Sequence, residues 1–117
     1  MLTKRQECFI LTYLFGYVPD LDYIEKLCRK YNVILIEDIS HAVGAKYKNR
    51  YLGTFGNASI YSSSLTKYID SFCGSFVLTN NESLSIKLQD FYKELSEPSA
   101  LRIRKTIFNI MKDSKFL

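Results

Sequence analysis

The spacing of apolar positions predicts a strand followed by a helix at the start of the chain. Residues 8–15 (CFILTYLF) form a short apolar and aromatic run that is typical of a buried strand, and Gly16 ends it. Asp20 has the side chain of a helix cap, so we expect a helix over 21–31 that ends at Asn32. Four apolar residues of that helix fall at helical spacing and define one face: Ile24, Leu27, Cys28 and Tyr31.

Further strands follow, in an order that predicts an α/β fold with a mostly parallel sheet. The run 33–36 is rich in β-branched residues, which suits a strand covered on both faces. Two strands joined by one helix form a βαβ unit, so they should lie parallel with a right-handed crossover. The stretch 44–57 is punctuated by glycine and predicts turns or a small excursion. Residues 58–62 and 74–79 predict two more strands, with a loop over 63–72.

Two helices are predicted in the C-terminal part of the chain. Asn80 or Asn81 can cap a helix over 82–95, and the pair Glu97–Pro98 breaks it. Residues 100–112 predict the last helix. The apolar face of the first of these helices contains five residues: Leu84, Leu88, Phe91, Tyr92 and Leu95.

The distribution of charge divides the chain into a neutral body, residues 1–97, and a basic amphipathic tail, residues 98–117. The whole chain has a net charge of +4. The tail contains five basic residues and one acidic residue, Asp113, so its own net charge is also +4. A neutral body argues against a broad nucleic-acid-binding surface. The tail keeps open an alternative function, an interaction module at a membrane surface. A packing helix with a solvated basic side is the simpler interpretation.

Composition places the chain among globular proteins. With 117 residues, 47% of them hydrophobic and 15% aromatic, it can form one domain with a buried core. No run approaches the roughly 18 apolar residues of a membrane span, and the N-terminus lacks the apolar core of a signal peptide. We therefore expect a cytoplasmic protein. Cys8, Cys28 and Cys73 are widely spaced and His41 is the only histidine, which argues against any metal site and predicts buried free thiols.

Polar groups of three kinds follow the predicted strands and together suit one cofactor. Asp38 lies at the carboxyl end of the second strand, Ser62 ends a later strand, and Lys67 is in the loop that follows. Ligands bind beyond the carboxyl ends of the strands in an open α/β sheet. Pyridoxal phosphate needs a lysine for its aldehyde, an acid at its pyridine nitrogen and donors for its phosphate. Singly, these residues are more often a surface lysine, a turn former and a loop hydroxyl, and His41 is more often structural.

Several longer motifs carry a family resemblance. Residues 9–17 (FILTYLFGY) and 20–24 (DLDYI) fit a strand–Gly–Tyr pattern followed by Asp-Leu-Asp-x-Ile. Residues 36–45 (IEDISHAVGA) fit the pattern V-I-E-D-x-A-[QH]-A-x-G-A, and residues 53–57 (GTFGN) fit G-T-F-G-D. These patterns belong to the DegT/DnrJ/EryC1/StrS aminotransferases, which the chain resembles in register over about residues 2–95.

The same resemblance continues through the predicted cofactor residues. Ser62 and Lys67 stand where the family has its phosphate serine and its Schiff-base lysine, and residues 74–80 resemble its G-G-x-x-x-T-[ND] strand. By resemblance Asp38 pairs with the pyridine nitrogen and His41 lies beside the cofactor ring oxygen. The fold implied is part of the three-layer α/β sandwich of the large domain, with the last strand running opposite to the others.

The resemblance also implies an activity. Family members use pyridoxal phosphate to aminate keto-sugars attached to a nucleotide, with glutamate as a common amino donor, and their two-chain dimers build each site jointly. The implied role is in polysaccharide biosynthesis. Retention of Lys67 favours transamination over the family's dehydratase branch, in which histidine replaces this lysine.

Departures from the family pattern, and length, limit what the chain is expected to do alone. Val18 stands where proline is common, Tyr61-Ser62-Ser63 replaces Phe-Ser-Phe, and Cys73-Gly74-Ser75 replaces Glu-Gly-Gly. The chain resembles a central fragment of the large domain, so we expect its cofactor site to be incomplete. A catalytically dead remnant is therefore a further alternative to an active transaminase.

Overall fold

The computed structural model describes residues 7–63, 67–69, 74–96, 99–101 and 103–105. The chain divides into two compact units, Met1–Ser85 and Ile86–Leu117. The first unit contains the sheet and every predicted site residue. The division of the chain at residue 97 that charge suggests stays a prediction.

A four-stranded sheet organises the first unit. Its strands are β1 (Cys8–Thr12), β2 (Ile34–Asp38), β5 (Ala58–Ser62) and β6 (Ser75–Leu78), and they are adjacent in the order β1-β2-β5-β6. The pairs β1–β2 and β2–β5 are parallel, and β5–β6 is antiparallel. The mostly parallel sheet and the reversed last strand are therefore confirmed. Because β2 and β5 run the same way, their polar carboxyl ends, Asp38 and Ser62, lie at the same edge of the sheet.

The crossover helix α1 (Leu21–Tyr31) has the predicted bounds and both predicted caps. The Asp20 carboxylate accepts a hydrogen bond from the backbone N–H of Tyr23, at 3.1 Å. Asn32 ends the helix in the left-handed conformation, with φ 52°, which a short polar side chain tolerates better than most. Local capping chemistry thus determines where this helix begins and ends.

The first strand is shorter than predicted. β1 ends at Thr12, and Leu14–Gly16 form a 3-10 turn instead of continuing the strand to residue 15. Tyr13 turns into the interior and is fully buried, while Phe15 adopts a left-handed backbone with φ 53°. The apolar run predicted a longer strand because it does not reveal that the Tyr13 hydroxyl has a buried hydrogen-bond partner, Glu37.

The predicted excursion is a small hairpin. β3 (Lys46–Tyr47) and β4 (Arg50–Tyr51) pair antiparallel across a two-residue turn in which Lys48 and Asn49 both have positive φ. Residues 52–57 return the chain to β5. Among the described residues, the hydrophobic core consists of seven buried side chains, two of them from the excursion: Tyr13, Leu21, Ile39, Ala42, Leu52, Phe55 and Tyr61.

The helix α2 (Glu82–Glu94) also forms where predicted. Of the two candidate caps, Asn81 is the one that acts, because its Oδ1 accepts the backbone N–H of Leu84 at 3.0 Å. No residue of α2 is fully buried, and Leu84 and Leu88 of its apolar face are half-buried. In the predicted helix 100–112, residues 103–105 are helical, and the portion from residue 106 lies outside the described residues.

The expectation of buried thiols is wrong for Cys8, which is exposed at the start of β1. Cys28 is half-buried on α1, where burial raises the pKa of its thiol, and Cys73 lies outside the described residues. Within the described ranges there is no cluster of three metal-ligating side chains and no helix long and apolar enough to cross a membrane.

Candidate functional site

Asp38 is the last residue of β2, an interior strand of the sheet. It is paired with Thr12 of β1 on one side and Ile60 of β5 on the other, which fixes its backbone. Its side chain is half-buried, and Oδ1 accepts a hydrogen bond from the backbone N–H of Ser40 at 3.0 Å. A carboxylate is thus held at the edge where the parallel strands end.

Ser62 ends the neighbouring strand and is tied to the same turn. Its backbone N–H donates to the hydroxyl Oγ of Ser40, at 2.9 Å. Ser40 therefore links Asp38 to Ser62 through one backbone and one side-chain hydrogen bond. The sequence offered little warning of this link, because a serine just after a strand-end aspartate is also typical of an ordinary turn.

Lys67 and His41 line one cavity together. This cavity, of about 260 Å³, is bounded by five residues: Phe15, Ser40, His41, Lys67 and Tyr68. Ser40 belongs both to its wall and to the link between Asp38 and Ser62. The four predicted site residues are thus gathered at one edge of the sheet, two on the cavity wall and two joined to that wall through Ser40.

The segment that contains Lys67 is fixed to the sheet by Tyr61. The buried Tyr61 hydroxyl accepts the backbone N–H of Ile69 at 2.7 Å and donates to the Ile69 carbonyl at 3.1 Å. Because Ile69 is two residues from Lys67, this double contact restrains where the lysine backbone lies. In the sequence, Tyr61 stands out only as a departure from a phenylalanine pattern.

Phe15 stands at the mouth of the cavity in a strained backbone conformation. Its φ of 53° is unfavourable for an aromatic residue, and its side chain remains 87% exposed. The ring meets His41 edge-on, with centroids 5.9 Å apart and planes at 73°. Phe15 was not among the predicted site residues, because the apolar run 8–15 predicts a continuous strand there.

Glu37, the residue before Asp38 on β2, carries a buried carboxylate. It is fully buried, and its carboxylate accepts four hydrogen bonds of 2.6–2.7 Å. The donors are the hydroxyl of Tyr13 and the backbone N–H groups of three excursion residues: Gly53, Phe55 and Gly56. Burying a carboxylate requires this many partners. These hydrogen bonds hold residues 53–56 against β2, one residue before Asp38.

Tyr13 is the partner that brings β1 into this network. Its burial, followed by its hydrogen bond to the Glu37 carboxylate and the repulsion that a phenolate would meet there, raises the pKa of Tyr13 far above that of a free tyrosine. The phenol therefore stays protonated as a hydrogen-bond donor. A glutamate inside an otherwise apolar strand was the available sequence signal for this network.

Comparison with known proteins identifies the family of the chain. The chain matches the family model described as the DegT/DnrJ/EryC1/StrS aminotransferase family over residues 1–102. A GDP-perosamine synthase from Escherichia coli O157:H7 is 35% identical over 83 residues, which are 71% of this chain and 23% of that protein. The chain spans about a quarter of the length of such relatives.

Solved structures with the same fold are aminotransferases and a related dehydratase. The structure titled Helicobacter pylori PseC, an aminotransferase involved in the biosynthesis of pseudoaminic acid, matches 86% of this chain and 28% of its own, with a TM-score of 0.74 and 27% identity. E coli GDP-4-keto-6-deoxy-D-mannose-3-dehydratase with bound hydrated PLP matches 75% of this chain and 23% of its own, with a TM-score of 0.67 and 27% identity. The predicted fold class, part of the α/β sandwich of an aminotransferase large domain, is confirmed.

Proposed function

Because this chain belongs to the DegT/DnrJ/EryC1/StrS aminotransferase family, we propose that it supplies the core of a pyridoxal-phosphate site for transamination of nucleotide-linked keto-sugars. The observation that carries the proposal is the set of groups around one cavity. An amine, an imidazole and a hydroxyl line it, and Ser40 ties a carboxylate and a second serine to its wall.

These groups fit the cofactor. Pyridoxal phosphate offers an aldehyde, a ring nitrogen, a ring oxygen and a phosphate, and each has a chemically matched side chain here. Lys67 would bond to the aldehyde, Asp38 would pair with the ring nitrogen, His41 would lie beside the ring oxygen, and Ser62 would donate to the phosphate. When bound, the cofactor supplies a protonated ring that withdraws electrons from the carbon that is to lose its proton.

The protein's own contribution is to hold and move protons. The negative charge of Asp38 favours a proton on the ring nitrogen, since an opposite charge stabilises the charged form. The Lys67 Nζ would act as the base that takes a proton from the substrate carbon and returns it. Hydrogen bonding of Ser40 to Asp38 restricts the carboxylate's orientation, which lowers the reorganisation needed at this step.

The substrate class and the setting are part of the same proposal. The named relatives include synthases and aminotransferases of nucleotide-linked or unusual amino sugars, and a lysine at position 67 suits transamination better than dehydration. We propose a keto-sugar linked to a nucleotide as amino acceptor, glutamate as donor, a homodimer as the active assembly, and a cytoplasmic role in polysaccharide biosynthesis. The chain's share of its relatives' length supports the view that these residues form only part of a complete site.

Reductive trapping tests the cofactor assignment. Pyridoxal phosphate is added to the chain, borohydride then fixes any cofactor bound through a lysine, and peptide mapping locates it. We expect the label on Lys67, and the Lys67→Ala variant should lack it. The exposed Lys46 provides the matched control, because Lys46→Ala removes a lysine that contacts the ring of Tyr51 and lies outside the cavity.

The Asp38→Asn variant separates binding from chemistry. It should still be labelled at Lys67, because covalent attachment does not require the acid. Single-turnover transfer of nitrogen from glutamate, followed by absorbance, should fall by about 100-fold or more, as expected when a preorganised charge is removed. Labelling spread over exposed lysines with Lys67 unmodified would show that the assignment is wrong.

A further inference from the structure

We propose that Ser40 is a positioning residue that sets the distance between the acid and the phosphate subsite of the cofactor site. This inference rests on the proposed function and adds Ser40, which stands at the alanine position of the pattern V-I-E-D-x-A, to the residues assigned to the cofactor site.

The geometry of Ser40 gives it two contacts of different kinds. Its backbone N–H donates to Asp38 Oδ1 at 3.0 Å, and its hydroxyl Oγ accepts the backbone N–H of Ser62 at 2.9 Å. The first contact survives any side-chain substitution except proline, but the second depends on the hydroxyl. Only 6% of Ser40 is exposed, so water has little access to replace the lost acceptor.

The cofactor explains why such a link has a use. Pyridoxal phosphate is a stiff ring whose nitrogen and phosphate are separated by a nearly constant distance. A site that binds both ends gains affinity when its acid and its phosphate donors are already at that distance. Sheet pairing between Asp38 and Ile60 fixes the two strands, and Ser40 adds a bond beyond the end of β2, where sheet pairing has stopped.

Ser40 also lines the cavity that Lys67 lines. After accepting from Ser62, a serine hydroxyl still has its own hydrogen to donate. The Ser40 hydroxyl can therefore accept the hydrogen bond from the Ser62 backbone N–H and still donate one of its own. The contact makes the start of the loop after β5 less free to move away from Asp38.

The test uses two variants of nearly equal shape, Ser40→Thr and Ser40→Val. Both add bulk at a buried site, but only threonine keeps the hydroxyl, so their difference isolates the hydrogen bond. Affinity is measured for pyridoxal phosphate and for pyridoxal, which lacks the phosphate. We expect the threonine variant to bind pyridoxal phosphate about 2- to 10-fold more tightly than the valine variant, the range for one net hydrogen bond. The gap should shrink for pyridoxal.

A readout without any ligand accompanies the binding measurement. Hydrogen exchange of the Ser62 amide, followed by NMR, should be faster in the valine variant than in the threonine variant. If both variants fold poorly, Ser40→Ala provides the smaller substitution and should show the same faster exchange. Ser59→Ala is the matched control, because Ser59 is a buried serine on the same strand whose hydroxyl has no hydrogen-bond partner among the described residues.

The outcomes separate this inference from the function on which it rests. Equal affinities of the threonine and valine variants, or an equal gap for pyridoxal phosphate and pyridoxal, would overturn the role of Ser40 while the function stands. Failure of the unchanged chain to bind pyridoxal phosphate would overturn the proposed function, and the positioning role would fall with it. A phosphate-dependent gap together with faster Ser62 exchange supports the inference.

Discussion

The hydroxyl of Tyr13 lies 2.7 Å from Oε2 of Glu37, and both side chains are fully buried. The two residues are 24 positions apart in the sequence, one before and one after the crossover helix α1. Three backbone N–H groups of residues 53–56 complete the coordination of the carboxylate. The Glu37 side chain thus joins β1, β2 and the excursion at the residue that precedes Asp38.

Replacement of Glu37 by glutamine should destabilise the fold strongly. All four partners of the carboxylate are donors, so the amide group of glutamine would place its own N–H groups against N–H or O–H groups. We expect Glu37→Gln to lower the free energy of unfolding by about 3–5 kcal/mol, measured by urea denaturation. Tyr13→Phe removes a single donor and should cost about 1.5–3 kcal/mol. A larger loss for Tyr13→Phe than for Glu37→Gln would contradict the central role of the carboxylate.

Stability should fall at alkaline pH because of Tyr13. Its folded-state pKa is raised above the ordinary value of 10.0, so above that pH the unfolded chain loses a proton that the folded chain keeps. The stability that the protonated phenol contributes is fully present below pH 10 and declines as pH rises toward the folded pKa. The expected slope is about 1.4 kcal/mol per pH unit for this one proton.

The Tyr13→Phe variant is the control for this pH dependence. Urea denaturation between neutral pH and about pH 11 should show the unchanged chain losing its advantage over the variant as the pH passes the ordinary tyrosine value. Other tyrosines contribute equally to both proteins and cancel in the difference. A difference that stays constant over this range would show that Tyr13 ionises normally in the folded chain.

Gly56→Ala should be much more damaging than Gly44→Ala. A Cβ on Gly56 would lie 2.6 Å from the carbonyl oxygen of Leu35, a backbone atom that cannot rotate away. We expect a loss of about 3 kcal/mol in the free energy of unfolding, together with a weaker hydrogen bond from Gly56 to Glu37. Gly44 has positive φ but open space around its Cβ position, so its substitution isolates backbone strain, about 1–2 kcal/mol. Equal effects would indicate that the chain near Gly56 shifts easily.

The exposed first strand should make the isolated chain self-associate. Within the described residues β1 pairs with β2 alone, and Phe9 and Ile10 leave large apolar surfaces exposed on it. Ile10→Lys should reduce concentration-dependent association in sedimentation or light scattering, because a charge on a strand edge opposes pairing with another strand. Leu14→Lys adds the same charge to a similarly exposed residue outside any strand and should have less effect. A monomer that unfolds sharply and reversibly at all concentrations would argue against exposed-edge association.

Local sequence determined most of the elements and supplied the candidate site residues. The bounds of α1, both of its caps and the cap of α2 followed from contacts among residues three or four positions apart, which the order of side chains specifies directly. Asp38, Ser62 and Lys67 became candidates because polar residues at or after predicted strand ends matched the needs of one cofactor and the pattern of the family that the chain resembles. The parallel direction of β1 and β2 followed from the helix between them, since a crossover connection returns the chain to the same end of the sheet.

Only the tertiary structure decided how these residues are supported. The link from Ser62 to Ser40 spans 22 positions, and the contacts of Glu37 with residues 53–56 span 16 to 19. The hydroxyl of the buried Ser40 accepts a hydrogen bond, whereas that of the buried Ser59 has no partner among the described residues. The local sequence pattern does not distinguish these two serines. The end of β1 at Thr12 was missed for the same reason, because the hydroxyl of Tyr13 reaches a carboxylate that only the folded sheet brings beside it. Apolar periodicity reports which face of an element is buried, whereas a hydrogen bond across the fold depends on the register and packing of elements distant in sequence.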